Sequence, residues 1–496
     1  MTTTLEPTAE SVAELDPRRW KALGVIAIAQ LMIVLDASIV TIALPSAQRA
    51  LHISTANRQW VVTAYTLAFG GLLLLGGRIA DYMGRKRMFI VGLLGFGAAS
   101  ALGGLAQNAA MLFGARALQG AFAALMAPAA LALISVTFTE PKERATAFGV
   151  YGAIAGGGAA IGLVLGGVLT EYASWRWCLL VNSPVAIIAA LGGFRLVSES
   201  RADGDRHYDL PGAATVTAGL VALVYGLTIA DQDGWSSWKT LSILGAAIVL
   251  LASFVAVELR TSHPLLPMRV ILDRNRGGSF LGSFLAGVGM FGMFLFLTYY
   301  LQGTLHYSPL KSGFAFLPFS GGIILAAGIA STLLPRIGPR PLMTGGFGAG
   351  ALGIAWMTTI GVHSSFAVHV LPAEIVMSLG LGFAFVSLTS TALIGVSEHD
   401  AGVASALVNT TQQVGGSLGT ALLNTIAASA TASYLAVHSH STAHVAQSLV
   451  HGYNVAFIYS AGFLVVATIV SVVLVKASRS NIKEAAQQGH AAAAIA

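Results

Sequence analysis

Three ionisable side chains stand inside otherwise apolar stretches of the sequence: Asp36, Arg116 and Glu374. A charge at mid-membrane depth costs about 2.5–3.5 kcal/mol or more, so residues of this kind mark function by default. Asp36 follows the basic Lys21 by 15 residues, about 22 Å along a helix rising 1.5 Å per residue. Arg116 lies about six residues into a run that enters from the opposite face, about 9 Å deep. In a hydrocarbon core of about 30 Å the two depths coincide, which places both side chains toward one central cavity. Burial favours a neutral acid and a neighbouring guanidinium favours the anion, so an aspartate with a movable arginine partner can load and release a proton. The alternative is a permanent structural ion pair. Glu374 is a candidate for a second proton or a cationic substrate; its alternative is a helix-end residue behind Pro372 that snorkels to the interface.

The elements that must hold these side chains follow from composition. Of 496 residues, 55% are hydrophobic, only 10% are charged and 57 are glycine, with a mean hydropathy of +0.76. Soluble domains carry about 25% charge, so a water-soluble enzyme is excluded and the chain belongs in lipid. One cysteine, Cys178, excludes an intrachain disulfide and any multi-cysteine metal site. Runs of about 20 apolar residues fall at 21–45, 59–79, 88–106, 110–136, 147–169, 177–196, 210–229, 241–257, 278–301, 313–334, 342–360, 370–395, 402–430 and 453–475. Their length and lack of strict alternation indicate helices and not a membrane barrel, giving an all-α polytopic fold of fourteen transmembrane helices. The acidic stretch ending at Pro17 has the wrong charge for a secretory leader and reads as a cytoplasmic tail.

With both termini inside, 21 of the 27 Lys and Arg fall on the cytoplasmic side, 5 outside, and Arg116 within a span, the asymmetry that cytoplasmic loops retain. This accounts for a pI near 9.5 through anionic lipid contacts, with no nucleic acid as partner. Gly84-Arg85-Lys86 after span 2 recurs as Gly338-Pro339-Arg340 after span 10, and Arg144-Ala145 before span 5 as Asp400-Ala401 before span 13, offsets of 254 and 256 residues. Weak internal repeats of this kind are common in transporters. The division they imply is a tail at 1–20, a six-helix bundle at 21–200, an inserted pair at 208–258, a second bundle at 277–476 and a tail at 477–496.

Several strings now resemble the major facilitator superfamily, and within it the fourteen-span drug:proton antiporters. Gly77-Arg-Ile-Ala-Asp81-Tyr-Met-Gly84-Arg85-Lys86-Arg87 resembles the loop that latches the two bundles of that family in one access state. Leu35-Asp36 through Pro45, and Arg116-Ala-Leu-Gln119-Gly120, resemble its first- and fourth-span motifs, which implies proton coupling through Asp36 and Arg116. Gly158, Gly162, Gly166 and Gly167 resemble the fifth-span motif of antiporters, with Leu163 where a proline is usual. Trp175 to Pro184 and Ser308 to Gly313 are further matches. The resemblance implies that the first and fourth spans of each bundle, with their neighbours, line the substrate cavity. Adaptable aromatic, Met and amide side chains make Trp60, Tyr65, Tyr151, Met290, Phe291, Met293, Phe294, Tyr299, Tyr300, Gln302, Asn409, Gln412 and Gln413 the candidates.

Other patterns carry less. Gly287-x-Gly289-x-x-Gly292 and Gly348-x-Gly350-x-x-Gly353 lack a preceding strand, Gly415-x-Ser417-x-Gly419 lies within a helix, and His438, His440 and His444 fall in a solvated loop. The expectation is a proton-driven exporter of amphipathic, drug-like compounds in the cell membrane, monomeric, with protons and lipid as partners and no cofactor. A dedicated exporter of one endogenous compound or lipid is the alternative, with a proton-coupled importer behind it. Too few buried ionisable groups are present to assemble a catalytic constellation, so an enzyme is not expected.

Overall fold

The computed structural model describes residues 17–201, 209–261, 264–396, 398–438 and 441–481. Fourteen long helices are present among them: α1 (Arg19–Ala50), α2 (Trp60–Met83), α3 (Arg85–Gly104), α4 (Ala109–Thr137), α5 (Pro141–Tyr172), α6 (Trp177–Leu196), α7 (Leu210–Asp233), α8 (Trp238–Arg260), α9 (Arg274–Tyr299), α10 (Pro309–Ile337), α11 (Pro339–Met357), α12 (Leu371–Leu393), α13 (Glu398–Val437) and α14 (Thr442–Leu474). Thirteen are long and apolar enough to cross a membrane. In α11, the five glycines and Arg340 lower hydropathy, yet its glycine face packs closely on α12: a Cβ on Gly346 would stand 2.5 Å from the Gly380 carbonyl oxygen.

Several helices begin where local chemistry predicts. Asn108, Asp273, Ser308 and Ser441 accept hydrogen bonds from the first-turn amides of α4, α9, α10 and α14, satisfying donors that have no intrahelical partner. The helices overrun the apolar runs that reveal them. For example, α1 continues to Ala50 and α13 to Val437, because backbone hydrogen bonding propagates through polar end residues that hydropathy does not register.

Packing repeats with the chain. In the first bundle α1 packs on α5 and α6, α2 on α4, and α3 on α4 and α6; in the second, α9 packs on α13 and α14, α10 on α12, and α11 on α12 and α14. The two bundles meet along α2 against α13 and along α5 against α10. The hairpin α7–α8 sits at this seam, with α7 against both α2 and α13, while much of α8 is exposed. Successive helices run in opposite directions, so loops alternate between two faces. The face holding Arg85, Lys86 and Arg87 is called the basic face below, and the opposite one the far face.

The far face is sealed between the bundles. Arg58 Nε donates to Asn424 Oδ1 at 3.0 Å, and Asn424 Nδ2 donates to Gln59 Oε1 at 3.0 Å. Gln302 Nε2 donates to the Ile42 carbonyl at 2.9 Å, Tyr299 donates to Gln48, and the Leu310 amide donates to Glu171 at 2.9 Å. Nearer the middle, Thr66 and Ser417 share a 2.6 Å hydrogen bond.

Candidate functional site

Asp36 is fully buried inside the first bundle, at 0% exposure, with Arg116 beside it at 1%. Arg116 Nη1 donates to Asp36 Oδ2 at 2.5 Å and to Gln119 Oε1 at 2.8 Å, and its Nε donates to the Val61 carbonyl at 2.9 Å. Gln119 Nε2 and Asn182 Nδ2 each donate to Asp36 Oδ1 at 2.9 Å, and Gln119 Nε2 also reaches Ser100 Oγ at 2.6 Å. The Tyr65 ring lies under the guanidinium, 4.4 Å from centroid to Cζ. Five helices, α1, α2, α3, α4 and α6, thus contribute to one network around the carboxylate. A desolvated ion pair is sustained only when further hydrogen bonds satisfy both members, and here both carboxylate oxygens and the guanidinium are so supplied.

Arg116 and Gln119, at i and i+3, share one face of α4, and close helix approach aims that face at α1. A Cβ on Gly120 would lie 3.0 Å from the Phe69 amide of α2, and one on Gly162 would lie 3.1 Å from the Leu35 carbonyl of α1. Gly158 and Gly166 likewise press on Val34 and Ile39, whereas Gly167 faces the other bundle, where its Cβ would stand 2.6 Å from Leu310 Cα. Leu163, in the place of the motif's usual proline, is 1% exposed, and its carbonyl lies against Gly313.

The placement differs from expectation: Asp36 and Arg116 do not face an open central cavity, because α2 and Tyr65 cover them. Glu374 also lies inside its bundle, in the first turn of α12 at 0% exposure, with no hydrogen-bond partner for either oxygen. It does not snorkel. The turn of the basic loop is held largely by its own bundle, while Arg78 reaches out to the Pro264 carbonyl at 3.4 Å. Asp81 Oδ1 accepts from Arg85 Nε at 2.8 Å, the amides of Lys86 and Arg87 donate to Glu199 at 3.0 and 3.3 Å, and Lys86 Nζ donates to Phe194 O at 2.9 Å. Gly84 at φ +110° lets Glu199 close over the turn, a conformation an L side chain resists. Gly77 rests against Pro128.

The cavity candidates divide. Tyr65 and Tyr300 are buried, the latter with its hydroxyl on Gly361 O at 2.9 Å. Tyr299 lies beneath Arg58, 3.9 Å from centroid to Cζ. Trp60 packs into the cluster between α7 and α13, and Tyr151 packs against the first bundle's core. Met293 is fully buried, and Phe294 lies 5.1 Å from Phe319 in edge contact. Phe291 lies over Gly416. Met290, Gln412 and Gln413 are half-buried and Asn409 is exposed, with Gln413 against Gly70 across the seam. Gln48, Arg49, His52, Tyr299 and Gln302 line a cleft of about 430 Å³ on the far face. Ser417 of the hydrolase-like string is committed to Thr66. His438 stacks on Tyr434, no group of three or more potential metal ligands occurs among the described residues, and His440 lies outside them.

Sequence reasoning missed Gln119, Asn182 and Ser100 as partners of Asp36, and Glu199 as the clasp of the basic loop. Gln119 and Asn182 did lie within the quoted strings, and the usable signal was a polar amide at the depth of a buried charge.

A two-bundle helical fold with an embedded ion pair defines a polytopic membrane transporter. The family described as Major Facilitator Superfamily matches residues 26–420, and the chain belongs to that family. It is 52% identical over 463 residues, covering 93% of this chain and 92% of the relative, to a puromycin resistance protein of Streptomyces alboniger. It is 37% identical over 465 residues, 93% of each, to a cephamycin export protein of Amycolatopsis lactamdurans. Its fold matches that of the POT family transporter PepTSo with a TM-score of 0.67 at 16% identity, covering 93% of this chain and 98% of the other. A bacterial homologue of the lysosomal transporter Spinster, in an inward-facing unoccupied conformation, matches with a TM-score of 0.66 at 14% identity and the same coverage.

Proposed function

We propose that this protein exports an amphipathic, antibiotic-like compound across the cell membrane in exchange for protons, by alternating access, with the basic face and both termini cytoplasmic. The observation that carries this reading is the Asp36 carboxylate, fully buried and held by Arg116, Gln119 and Asn182. In this far-sealed state Asp36 is locked to Arg116. With the far face open, a proton from outside loads Asp36 as substrate leaves; the neutral acid returns with the protein to the far-sealed state, gives its proton to the basic side and pairs again with Arg116. Glu374, fully buried and with no hydrogen-bond partner for either oxygen among the described residues, serves as a second protonatable group in the other bundle. Each proton moving inward supplies about 2.3 kcal/mol per 100 mV and about 1.4 kcal/mol per pH unit. No cofactor or bond-making step is required.

A second reading narrows the substrate to one compound, and it is favoured by relatives whose names each carry one antibiotic, puromycin and cephamycin. Proteoliposomes with an imposed pH gradient test both. Export predicts gradient-driven movement of puromycin or a lipophilic cation, recovered chemically unchanged. Inhibition by unrelated compounds supports a broad site, and its absence a dedicated one. Accumulation in the opposite direction would overturn export.

A further inference from the structure

The inserted hairpin holds two carboxyl groups that the transport reading leaves unused. Asp209 caps α7 by accepting from the Gly212 amide through Oδ1 at 2.8 Å, and Glu258, near the end of α8, accepts from the Leu266 amide through Oε2 at 2.9 Å. Each therefore has one oxygen tied to backbone. The other two, Asp209 Oδ2 and Glu258 Oε1, are buried and have no hydrogen-bond partner among the described residues, in residues only 6% and 3% exposed. They also converge: a Cβ on Gly212 would stand 2.9 Å from Glu258 Oε1 and closer still to Asp209 Oδ2. Two ionised oxygens so placed, out of water and without a donor, would repel each other and forfeit their solvation. One proton between them supplies the missing donor to both.

The described charged groups nearby do not remove this requirement. Arg78 of α2 donates through Nη2 to the Pro264 carbonyl at 3.4 Å. Arg260, two residues on from Glu258, is exposed. Among the described residues, no guanidinium or ammonium forms an ion pair with either carboxyl.

We propose that Asp209 and Glu258 share a single proton and form a proton-binding site at the foot of the inserted hairpin, on the basic face and separate from Asp36. The site ties three segments that are distant in sequence: the start of α7, the end of α8, and the Leu265–Leu266 stretch leading to the second bundle. Loss of the proton sets two like charges face to face and loosens that tie, so the hairpin foot responds to proton activity on the basic side.

Infrared spectroscopy of the full chain in lipid nanodiscs tests this through the carbonyl band of protonated carboxyl groups. In Asp209→Asn or Glu258→Gln, the new amide donates to the surviving carboxylate, and both backbone bonds are kept. The sharing pair predicts loss of one carboxyl's worth of band in either variant, and no greater loss in the double variant. Asp209→Ser, which preserves the cap but brings no amide to Glu258, must retain more of the band than Asp209→Asn, and a wild-type melting temperature in each variant guards against misfolding. The proposal is overturned if the two single amide variants match wild type, if only one of them loses the band, or if their losses add.

Discussion

Removing the Asn182 amide leaves Asp36 Oδ1 with one donor fewer in a site closed to water. Asn182→Ala is expected to cost about 1–3 kcal/mol, seen as a lowered melting temperature in detergent, together with a displaced pH profile of transport. An unchanged melt and profile would show that the amide is a bystander. Arg116→Lys tests geometry at constant charge. An ammonium cannot span Asp36, Gln119 and the Val61 carbonyl as the guanidinium does, so transport is expected to fall about tenfold or more, the equivalent of about 1.4 kcal/mol. At this scale Asp36 and Arg116 were legible because charge in an apolar run is conspicuous. Asn182 and Ser100 were not, because convergence of five helices on one hydrogen-bonded network leaves no periodic trace. A mutual depth estimate paired the two charges, but it could not say which side of α1 they occupy, and so placed them toward an open cavity.

At the scale of elements, glycine faces set the distances between helices. Gly167 is the point where α5 meets α10 across the bundles, and Gly167→Val would wedge them apart. The expected result is a weaker far-face seal, measured as a larger outward-open population by distance measurements between spin labels on the two bundles. No change in the distribution would remove Gly167 from the seal. At the opposite ends of the helices, Arg19 Nε and Nη2 each donate to Glu143 at 2.8 Å, joining the starts of α1 and α5. This hydrogen bonding holds the Glu143 carboxyl below its ordinary range. A depressed value contributes stability above the ordinary carboxylate pKa and loses it as pH falls through the lowered one. Glu143→Gln should therefore lower the melting temperature slightly at neutral pH and less in acid; equal effects at both would contradict the assignment. Helix existence was legible from apolar runs, but helix ends were not, since α1, α5 and α13 continue through polar residues that backbone bonding carries along.

On the scale of the whole molecule, the two offsets near 255 residues pointed to paired bundles, and the packing of α1–α6 and α9–α14 follows one repeated pattern. The seat of α7 on α2 and α13 was not legible, because hydropathy marks which residues avoid water and not which helix they meet. That seat matters for the seal: Gln59, which accepts from Asn424, donates to Thr228 of α7 at 3.2 Å, and Thr425 donates to the Leu227 carbonyl at 3.0 Å. The inserted hairpin is thus continuous with the contacts that close the far face. Arg58 is their centre, buried against Tyr299 and Asn424. In a Cys178→Ser background, a cysteine replacing the buried Ser417 should react slowly with an impermeant maleimide from the far side. Adding Arg58→Ala should speed that reaction about tenfold; an unchanged rate would relocate the seal.

The central claim is that the Asp36 carboxylate couples protons to substrate export. Purified protein reconstituted in liposomes with an imposed pH gradient, carrying either Asp36 or Asp36→Asn, tests it directly by following substrate movement and proton counter-movement together. The account predicts that wild type moves both in opposite directions, and that Asp36→Asn retains substrate binding but loses gradient-driven movement. Normal gradient-driven transport by Asp36→Asn would contradict it and leave the buried pair as a structural tie among five helices.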